Sequence, residues 1–255
     1  LFNNNIRCLF EDVQGNIWVG TKEGGGLSKF DRIEGSFKHY HFDADKRGGL
    51  RDDYLFSINE IDEDHLIIGT YTQGIAIFNK ETEMFTHFTH KPEDETSISG
   101  NAVYCIFKDQ KERIWVGTFG IAGMIGELNL FNPVTQEFEK IEEITQVRTM
   151  CNAHENHLWL GTIGHGLLLF NANRKKVVKV YNHTMGDTLG LQDNNITSIK
   201  TDSLGKLWVG TDGEGLFKFD TKGNLTQFKH KPSNINSLSA NRIVCINEDN
   251  EGNIL

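Results

Sequence analysis

KLWVGT, at residues 206–211, is a stretch that the chain repeats: NIWVGT stands at 16–21, RIWVGT at 113–118, HLWLGT at 157–162 and a divergent copy, HLIIGT, at 65–70. The glycines of these copies, at positions 20, 69, 117, 161 and 210, are separated by 49, 48, 44 and 49 residues. A nearly constant period of this length is typical of a modular array of supersecondary units. The hexapeptide therefore marks the repeating unit from which the fold is built.

Each repeat is predicted to form four short β-strands. The fifth copy shows them as NNITSIKTD (194–202), SLGKLWVGT (203–211), DGEGLFKFD (212–220) and TKGNLTQFKH (221–230). These segments are rich in β-branched and aromatic residues and are separated by glycine-containing turns, and none offers the ten or more residues that a helix needs. The sequence predicts an all-β protein.

The apolar pattern indicates sheets that are buried on both faces. Pairs such as Leu27 with Phe30 are three residues apart, so they point to opposite faces of an extended strand. A repeated four-stranded sheet with two buried faces is the blade of a β-propeller. We predict that the repeat tryptophans fill the gaps between blades and that the repeat glycines let a neighbouring module's aromatic side chain approach closely; these residues are Trp18, Trp115, Trp159, Trp208, Gly20, Gly69, Gly117, Gly161 and Gly210.

Five repeats are complete and a sixth has begun. The predicted blades lie roughly at 4–49, 50–97, 98–143, 144–191 and 192–238, with a partial blade at 239–255. This predicts one propeller fragment over residues 1–255, an incomplete arc cut from a longer protein. Such an arc leaves two apolar blade faces uncovered, and patches of that size favour association. We therefore expect the chain to self-associate.

Composition excludes two classes of partner. A formal net charge of −9 disfavours nucleic acid, because nucleic-acid-binding surfaces concentrate Lys and Arg. No run of about 18 apolar residues is present, so membrane insertion by this segment is not expected.

The cysteines are predicted to be free, buried thiols. Cys8, Cys105 and Cys245 share one repeat position, which Ser57, Thr149 and Ser198 fill in other modules. Equivalent positions of different modules lie too far apart for a disulfide, so cysteine usage does not decide the compartment.

No motif in the sequence indicates a cofactor, a metal or a catalytic group. His90, His183 and His230 share one repeat position, which indicates a structural hydrogen bond rather than zinc ligation. HENH (154–157) and EIDEDH (60–65) read as turns between strands, and EIDEDH lacks the glycine and the distal Glu of a calcium loop. The glycine-rich KEGGGL (22–27) and DGEGL (212–216) lack the Gly-Lys-Ser/Thr motif and the following helix of a phosphate loop.

A ligand site is expected at one rim of the propeller. That rim is made by the loop after the tryptophan strand and by the linker between blades, and the loop at 119–127 is longer than its equivalents while the linker at 140–147 is short. Tyr71 and Phe119 are predicted stacking platforms for sugar rings. The full candidate set is Lys22, Glu23, Arg51, Asp53, Tyr71, Gln73, Phe119, His165, Asp212 and Glu214; ordinary solvated loop residues are the alternative for each.

The composite pattern N-x-V-x-x-I-x-x-D-x-x-G-x-L-W-V-G-T-x-x-G-G-L-x-x-F-D, followed by an aromatic residue and the linker H-x-P-x-x-x-x-S-L-S, resembles the two-component regulator propeller repeat. The resemblance covers essentially the whole chain. It implies the periplasmic sensor region of a bacterial hybrid two-component protein of the Bacteroidetes type, commonly built from two seven-bladed propellers followed by a membrane helix and a histidine kinase. Proteins of that family typically detect oligosaccharides and thereby switch a dimeric kinase.

Two other function classes stay open at the level of sequence. None of the kinase motifs occurs in these residues, so the segment itself is predicted to be a sensor and not an enzyme. A propeller enzyme, such as a lyase or a glycan-cleaving protein, is one alternative, and it would need a His or paired carboxylates converging in the channel. A protein-docking scaffold without a small ligand is the other.

Overall fold

The computed structural model describes residues 1, 3–43, 45–120, 126–183 and 191–255. These residues form twenty β-strands and no α-helix. The strands build five four-stranded antiparallel sheets, and within each sheet the strands follow the order of the chain. The all-β class and the five four-stranded blades are thereby confirmed. The chain divides into two compact units, Leu1–Gln146 with three blades and Val147–Leu255 with two.

The first unit contains blades 1 to 3. Blade 1 consists of β1 (Ile6–Glu11), β2 (Ile17–Thr21), β3 (Leu27–Asp31) and β4 (Ser36–Tyr40). Blade 2 consists of β5 (Leu55–Asp62), β6 (His65–Thr70), β7 (Ile75–Asn79) and β8 (Phe85–Phe88). Blade 3 consists of β9 (Ala102–Lys108), β10 (Ile114–Phe119), β11 (Glu127–Asn132) and β12 (Glu137–Thr145).

The second unit contains blades 4 and 5. Blade 4 consists of β13 (Val147–Asn152), β14 (His157–Thr162), β15 (Leu167–Asn171) and β16 (Lys176–Tyr181). Blade 5 consists of β17 (Ile196–Thr201), β18 (Leu207–Thr211), β19 (Leu216–Phe219) and β20 (Leu225–Phe228). Residues 239–255 form a β-bridge between Glu248 and Ile254 instead of a blade.

Blade 2 shows directly that a sheet is buried on both faces. On one face Leu66, Ala76 and Phe78 pack with blade 1 around Trp18. On the opposite face Ile67 and Ile77 pack with residues of blade 3. Adjacent residues of β6 thus enter two different cores, which is the arrangement that the apolar pattern predicts for a propeller blade.

The tryptophans lie between blades, as predicted, wherever a neighbouring blade of the same unit covers them. Trp18 is fully buried, and its ring centroid lies 5.5 Å from that of Phe78 in blade 2. Trp159 is half-buried against residues of blade 5. Trp208 is also half-buried and stacks on Phe228 at 5.9 Å, beside a cavity of about 370 Å³ that Ile254 also lines.

Three tryptophans share a partner that the sequence reasoning had not assigned. The indole Nε1 of Trp18 donates to Asp12 at 2.9 Å, that of Trp115 to Asp109 at 2.8 Å, and that of Trp208 to Asp202 at 2.8 Å. Each aspartate also accepts hydrogen bonds from backbone amides of its own hairpin turn. Trp159 lacks this partner because Ala153 occupies the equivalent position. The fixed spacing between Asp and Trp in these three repeats therefore lets the aspartate link its hairpin turn to the indole ring.

The repeat glycines allow close packing, but the residue that approaches is aliphatic rather than aromatic. A Cβ on Gly69 would lie 2.7 Å from Val103, and one on Gly161 would lie 2.6 Å from Ile196. Both partners belong to the first strand of the next blade. The expectation of an aromatic neighbour was wrong, because the inter-blade aromatic rings come from the third and fourth strands and pack on the indole.

The shared repeat position of the cysteines is confirmed, and the predicted burial of their thiols is confirmed in part. Cys8 pairs opposite Gly20, and Cys105 pairs opposite Gly117, in the same register as the small residues of the other blades. All four cysteines are free. Burial raises the pKa of Cys8 and of Cys105 to about 12. Cys245, expected to be buried, is exposed, because residues 239–255 do not form the strands that cover its equivalents.

The boundary after blade 3 differs from the expected one. Residues 140–147 were expected to form a short linker, yet β12 continues to Thr145 and β13 begins at Val147. The register of β11 with β12 shifts from Leu128↔Ile141 to Glu127↔Thr145, so the intervening residues bulge out of the ladder and take up the extra length. The expected loop at 119–127 falls largely outside the described residues, as does most of the linker at 183–194.

Blade 1 carries an uncovered apolar face, the one that in later blades packs on the preceding blade. Leu9 is 65% exposed, whereas Ile58, Ile106 and Ile199 in the equivalent positions are each 6% exposed. Ile6 is likewise exposed while its equivalent Leu55 is fully buried. This surface, which we name the leading face of blade 1, has the composition of an inter-blade core without a blade against it.

Among the described residues no helix combines the length and apolar character that a bilayer-spanning segment requires.

Candidate functional site

Five aromatic rings of blades 2 and 3 form a continuous group that we name the aromatic row: Tyr54, Phe56, Tyr71, Tyr104 and Phe119. The ring centroids of Tyr54 and Tyr71 lie 4.9 Å apart, those of Phe56 and Tyr104 lie 4.5 Å apart, and those of Tyr104 and Phe119 lie 5.0 Å apart. Phe56 joins the two ends, at 5.2 Å from Tyr54 and 5.7 Å from Tyr71. All five side chains are half-buried, so the row is ordered by packing and remains accessible to solvent.

A β-bulge in the first strand of each blade sets the position of the central rings. The register between first and second strand slips by one residue at the same place in every blade, and the unpaired residue is Phe56 in blade 2 and Tyr104 in blade 3. A bulge residue leaves the ladder, so its side chain is re-aimed. Arg7 occupies the same position in blade 1. The bulge thus places one half-buried side chain of each of blades 1 to 3 outside the regular strand ladder.

Two outer rings of the row lie where the second strands end, since Phe119 is the last residue of β10 and Tyr71 follows the end of β6. Tyr71 follows β6 and donates its backbone N–H to the carbonyl of Tyr54 at 3.0 Å. Asp52 holds this loop against the linker, because its carboxylate accepts hydrogen bonds from the Tyr54 N–H, the Thr72 N–H and the Thr72 hydroxyl at 2.7 to 2.9 Å. Asp52 therefore positions two of the five rings.

Two cations from blade 1 lie over the row. The guanidinium of Arg7 lies 5.0 Å from the centroid of Phe56, and the ammonium of Lys22 lies 5.4 Å from the centroid of Tyr54. Both distances fall within the range of attractive cation–π contacts. Lys22 also pairs with Glu23 at 3.6 Å, and both side chains of that pair are exposed. The described residues provide no hydrogen-bond or ion-pair partner for Arg7, and its Nε is buried without an acceptor.

The predicted candidates of the first unit separate into two groups. Lys22, Tyr71 and Phe119 belong to the aromatic row or lie over it. Glu23 is exposed with a left-handed backbone, φ 64°, next to Lys22. Asp53 serves the linker, since it accepts a hydrogen bond from the Phe42 N–H; burial raises the pKa of its carboxyl.

Arg51 and Gln73 line a different surface, a cleft of about 860 Å³ under the linker between blades 1 and 2. Its walls mix cations and carboxylates, including Arg47 and Asp43. His87 lies in the cleft with Nε2 donating to the Gly49 carbonyl at 3.0 Å, and burial lowers the pKa of its ring. The cleft contributes no ring to the aromatic row.

The candidates of the second unit do not form a comparable cluster among the described residues. Asp212 pairs with Arg242 at 2.9 Å, and Glu214 pairs with Lys229. His165 is an exposed residue of the loop after β14. Their assignment to a ligand site stays a prediction.

The shared histidine position is structural in the way that the sequence indicates. His90 Nδ1 donates to the Ile98 carbonyl at 2.8 Å, and His230 Nδ1 donates to the Leu238 carbonyl at 2.6 Å. The backbone N–H groups of His90, His183 and His230 each donate to an asparagine eleven residues later. HENH lies at a turn between strands, as predicted, whereas only residues 63 and 64 of EIDEDH form a turn, because residues 60–62 end β5 and His65 begins β6. In the described part of the chain no three His, Cys, Asp or Glu side chains are grouped as metal ligands.

Sequence reasoning had missed four contributors to this surface: Arg7, Tyr54, Phe56 and Tyr104. A signal for three of them was present. Arg7, Phe56 and Tyr104 precede the small-residue position in their repeats, and the copies differ in size and charge at this position while the residue before it is always aliphatic. That it becomes a bulge depends on strand register, which the repeat pattern does not display.

Twisted four-stranded blades that pack face to face through repeat tryptophans define a propeller-repeat protein. The family model described as "Two component regulator propeller" matches residues 1–23, 97–120 and 190–213. These three segments match that repeat, so the resemblance drawn from the sequence is confirmed over those residues. A curated relative, histidine kinase P4 of Formosa agariphila, is 29% identical over 223 residues. The match covers 86% of this chain and 16% of that kinase, so the chain spans a small part of its relative's length.

Solved structures with the same fold include extracellular domains of two-component systems and lyases. The extracellular domain assigned to a hybrid two-component system of B. thetaiotaomicron superposes with a TM-score of 0.66 at 23% identity, covering 100% of this chain and 38% of that one. Virginiamycin B lyase from Staphylococcus aureus superposes with a TM-score of 0.65 at 12% identity, covering 95% of this chain and 73% of that one. At these identities the similarity establishes the fold, and function has to be argued from the site.

Proposed function

We propose that this chain is part of the extracytoplasmic sensor region of a hybrid two-component histidine kinase and that the aromatic row binds an oligosaccharide. The observation that carries the proposal is the row itself: five half-buried rings in contact, flanked by two cations. Aromatic faces suit the apolar faces of sugar rings, and adjacent cations and tyrosine hydroxyls suit sugar oxygens. The repeat family and the similarity to extracellular domains support the sensor role and a periplasmic location.

Signalling would follow from differential binding. A ligand shifts the balance between two arrangements of a receptor only by the difference in its affinity for them. The aromatic row is suited to such differential binding, because it is made by residues of two blades. One sugar chain bound there would contact both blades. The attached kinase would then respond to the altered arrangement of two sensor chains.

Phe56→Ala is expected to weaken oligosaccharide binding about tenfold or more, because Phe56 contacts three other rings of the row and its loss separates the two ends. Isothermal titration calorimetry of the full chain against a panel of short oligosaccharides measures the effect. Phe228→Ala is the matched control, since Phe228 is a partly exposed ring on blade 5 outside the row. Equal affinity of wild type and Phe56→Ala would contradict the assignment of the site.

A propeller enzyme is the second candidate because a lyase shares the fold. The five rings and two cations of the row include no histidine and no pair of carboxylates, the groups that such an enzyme would need. Product analysis after prolonged incubation with the same oligosaccharides is expected to return them unchanged. Formation of a shorter or unsaturated product would replace the sensor proposal with an enzymatic one.

We also propose that the chain self-associates through the leading face of blade 1. Leu9 and Ile6 are exposed there although every equivalent within a unit is buried. Light scattering of the purified chain at micromolar concentration is expected to give a mass above that of one chain, and Leu9→Lys is expected to lower it. Val134→Lys, in an exposed turn of blade 3, should leave the mass unchanged. A monomeric wild type at this concentration would exclude the proposal.

A further inference from the structure

We propose that the aromatic row selects an anionic saccharide, one that carries a carboxylate or a sulfate, and that Arg7 with Lys22 holds the anionic group. This inference rests on the proposed function, because it concerns the ligand class of the same site. It follows from the electrostatic state of the two cations rather than from the rings, which suit neutral and acidic sugars equally.

The surroundings of Arg7 provide stronger support for an anionic ligand than those of Lys22. Its side chain is half-buried on the face of Phe56, its Nε is buried without an acceptor, and the described residues include no carboxylate paired with it. A partly desolvated guanidinium without a hydrogen-bond acceptor is costly, and the cost is removed when an anion is placed beside it. Arginine also presents a planar set of N–H donors, which carboxylate and sulfate oxygens accept in pairs.

Lys22 places a second positive charge over the neighbouring ring of the row. It lies over Tyr54, whose ring is 5.2 Å from the ring that carries Arg7. Its pairing with Glu23 spans 3.6 Å between exposed groups, and ion pairs of that kind contribute little. A ligand anion can therefore replace Glu23 as the partner of Lys22 at small cost. Two cations on two adjacent rings match an acidic group on a sugar that stacks on the same rings.

The net charge of the chain sets a limit on how this selection operates. With a formal charge of −9, the chain as a whole does not attract anions over long range. Selection must then come from contacts within the Debye length of about 10 Å at 0.1 M salt. The backbone bulge that fixes Arg7 is the structural means of holding the cation at that range.

The test compares three probes on the full chain by isothermal titration calorimetry: a neutral galacto-oligosaccharide, an oligogalacturonate and a sulfated galacto-oligosaccharide. At least one acidic probe is expected to bind about 10- to 100-fold more tightly than the neutral one, as charge-assisted hydrogen bonds allow. Arg7→Gln is expected to remove most of this preference, Lys22→Gln part of it, and the two acidic probes distinguish carboxylate from sulfate recognition. Lys218→Gln is the control, because Lys218 belongs to the second unit and lies over Trp208 and Phe228, which are not members of the row.

The outcomes separate this inference from the function on which it rests. Binding of all three probes with equal affinity, weakened by Phe56→Ala, would overturn the anionic selection and leave the oligosaccharide site in place. A preference for acidic probes that survives both Arg7→Gln and Lys22→Gln would also overturn it. Binding of none of the three would overturn both proposals.

Discussion

Lys80→Ala is expected to lower the free energy of unfolding by about 3–5 kcal/mol, the largest effect of any single charge in the first unit. The Lys80 ammonium lies 3.0 Å from Asp12 Oδ2 in blade 1 and 2.6 Å from Glu60 Oε1 in blade 2, and its side chain is 10% exposed. Removing it leaves two buried carboxylates facing each other. Urea denaturation followed by tryptophan fluorescence measures the change.

Lys80→Met separates charge from volume. Methionine fills much of the space of lysine. If Lys80→Met loses as much free energy of unfolding as Lys80→Ala, the effect is assigned to the unpaired carboxylates. Wild-type stability of Lys80→Met would refute the electrostatic explanation. Lys91→Ala is the exposed control: Lys91 pairs with Asp94 at 3.8 Å on the surface, and pairs of that kind contribute at most about 1 kcal/mol.

The pH dependence of this cluster follows from two opposite pKa shifts. Burial alone would raise the pKa of Asp12, but hydrogen bonds from Trp18, Asn16 and Lys80 outweigh it and hold the pKa well below its ordinary value. Burial alone would lower the pKa of Lys80, but its bonds to Glu60 and Asp12 raise it overall. Asp12 therefore stabilises the fold above about pH 4 and its contribution disappears as the pH falls further. Lys80 stabilises below about pH 10 and its contribution disappears as the pH rises through its folded-state pKa, so both act at pH 7.

Trp18→Ala is expected to cost about 3–5 kcal/mol, because the ring is fully buried between two blades against Tyr40 and Phe78. Trp159→Ala should cost less, since the ring is half-buried. The two tryptophans occupy the same repeat position, so the chain provides its own matched control. Chemical denaturation of both variants measures the difference.

Replacement by phenylalanine isolates the indole hydrogen bond. Trp18→Phe removes the 2.9 Å bond to Asp12 as well as volume, whereas Trp159→Phe removes volume alone because Ala153 stands in place of the aspartate. We expect Trp18→Phe to cost about 1–3 kcal/mol more than Trp159→Phe. Equal costs would show that the Asp–Trp bond contributes nothing to stability.

The sequence by itself determined the repeating blade. Period, strand length and the apolar pairs on both faces are local properties of the chain, and they predicted five four-stranded sheets, four of which carry an indole on the second strand. The repeat also located the small-residue position opposite the glycine, because five copies align it without reference to a fold. These features are written once per repeat, so each copy supports the others.

What only the tertiary structure decided depends on register and on neighbouring blades. The bulge that turns Arg7, Phe56 and Tyr104 out of their strands arises from pairing with the second strand, and it brings together rings that lie 48 residues apart in the sequence. Lys80 likewise meets Asp12 only because two sheets pack face to face. Tyr71 and Phe119 could be singled out as aromatic residues that follow the repeated hexapeptide, but the row that contains them could not, since contacts between modules have no signature inside one repeat. The physical reason is that the burial of one strand face follows a local apolar pattern that each repeat shows. A binding site instead forms where side chains from several separate segments of the chain meet in space.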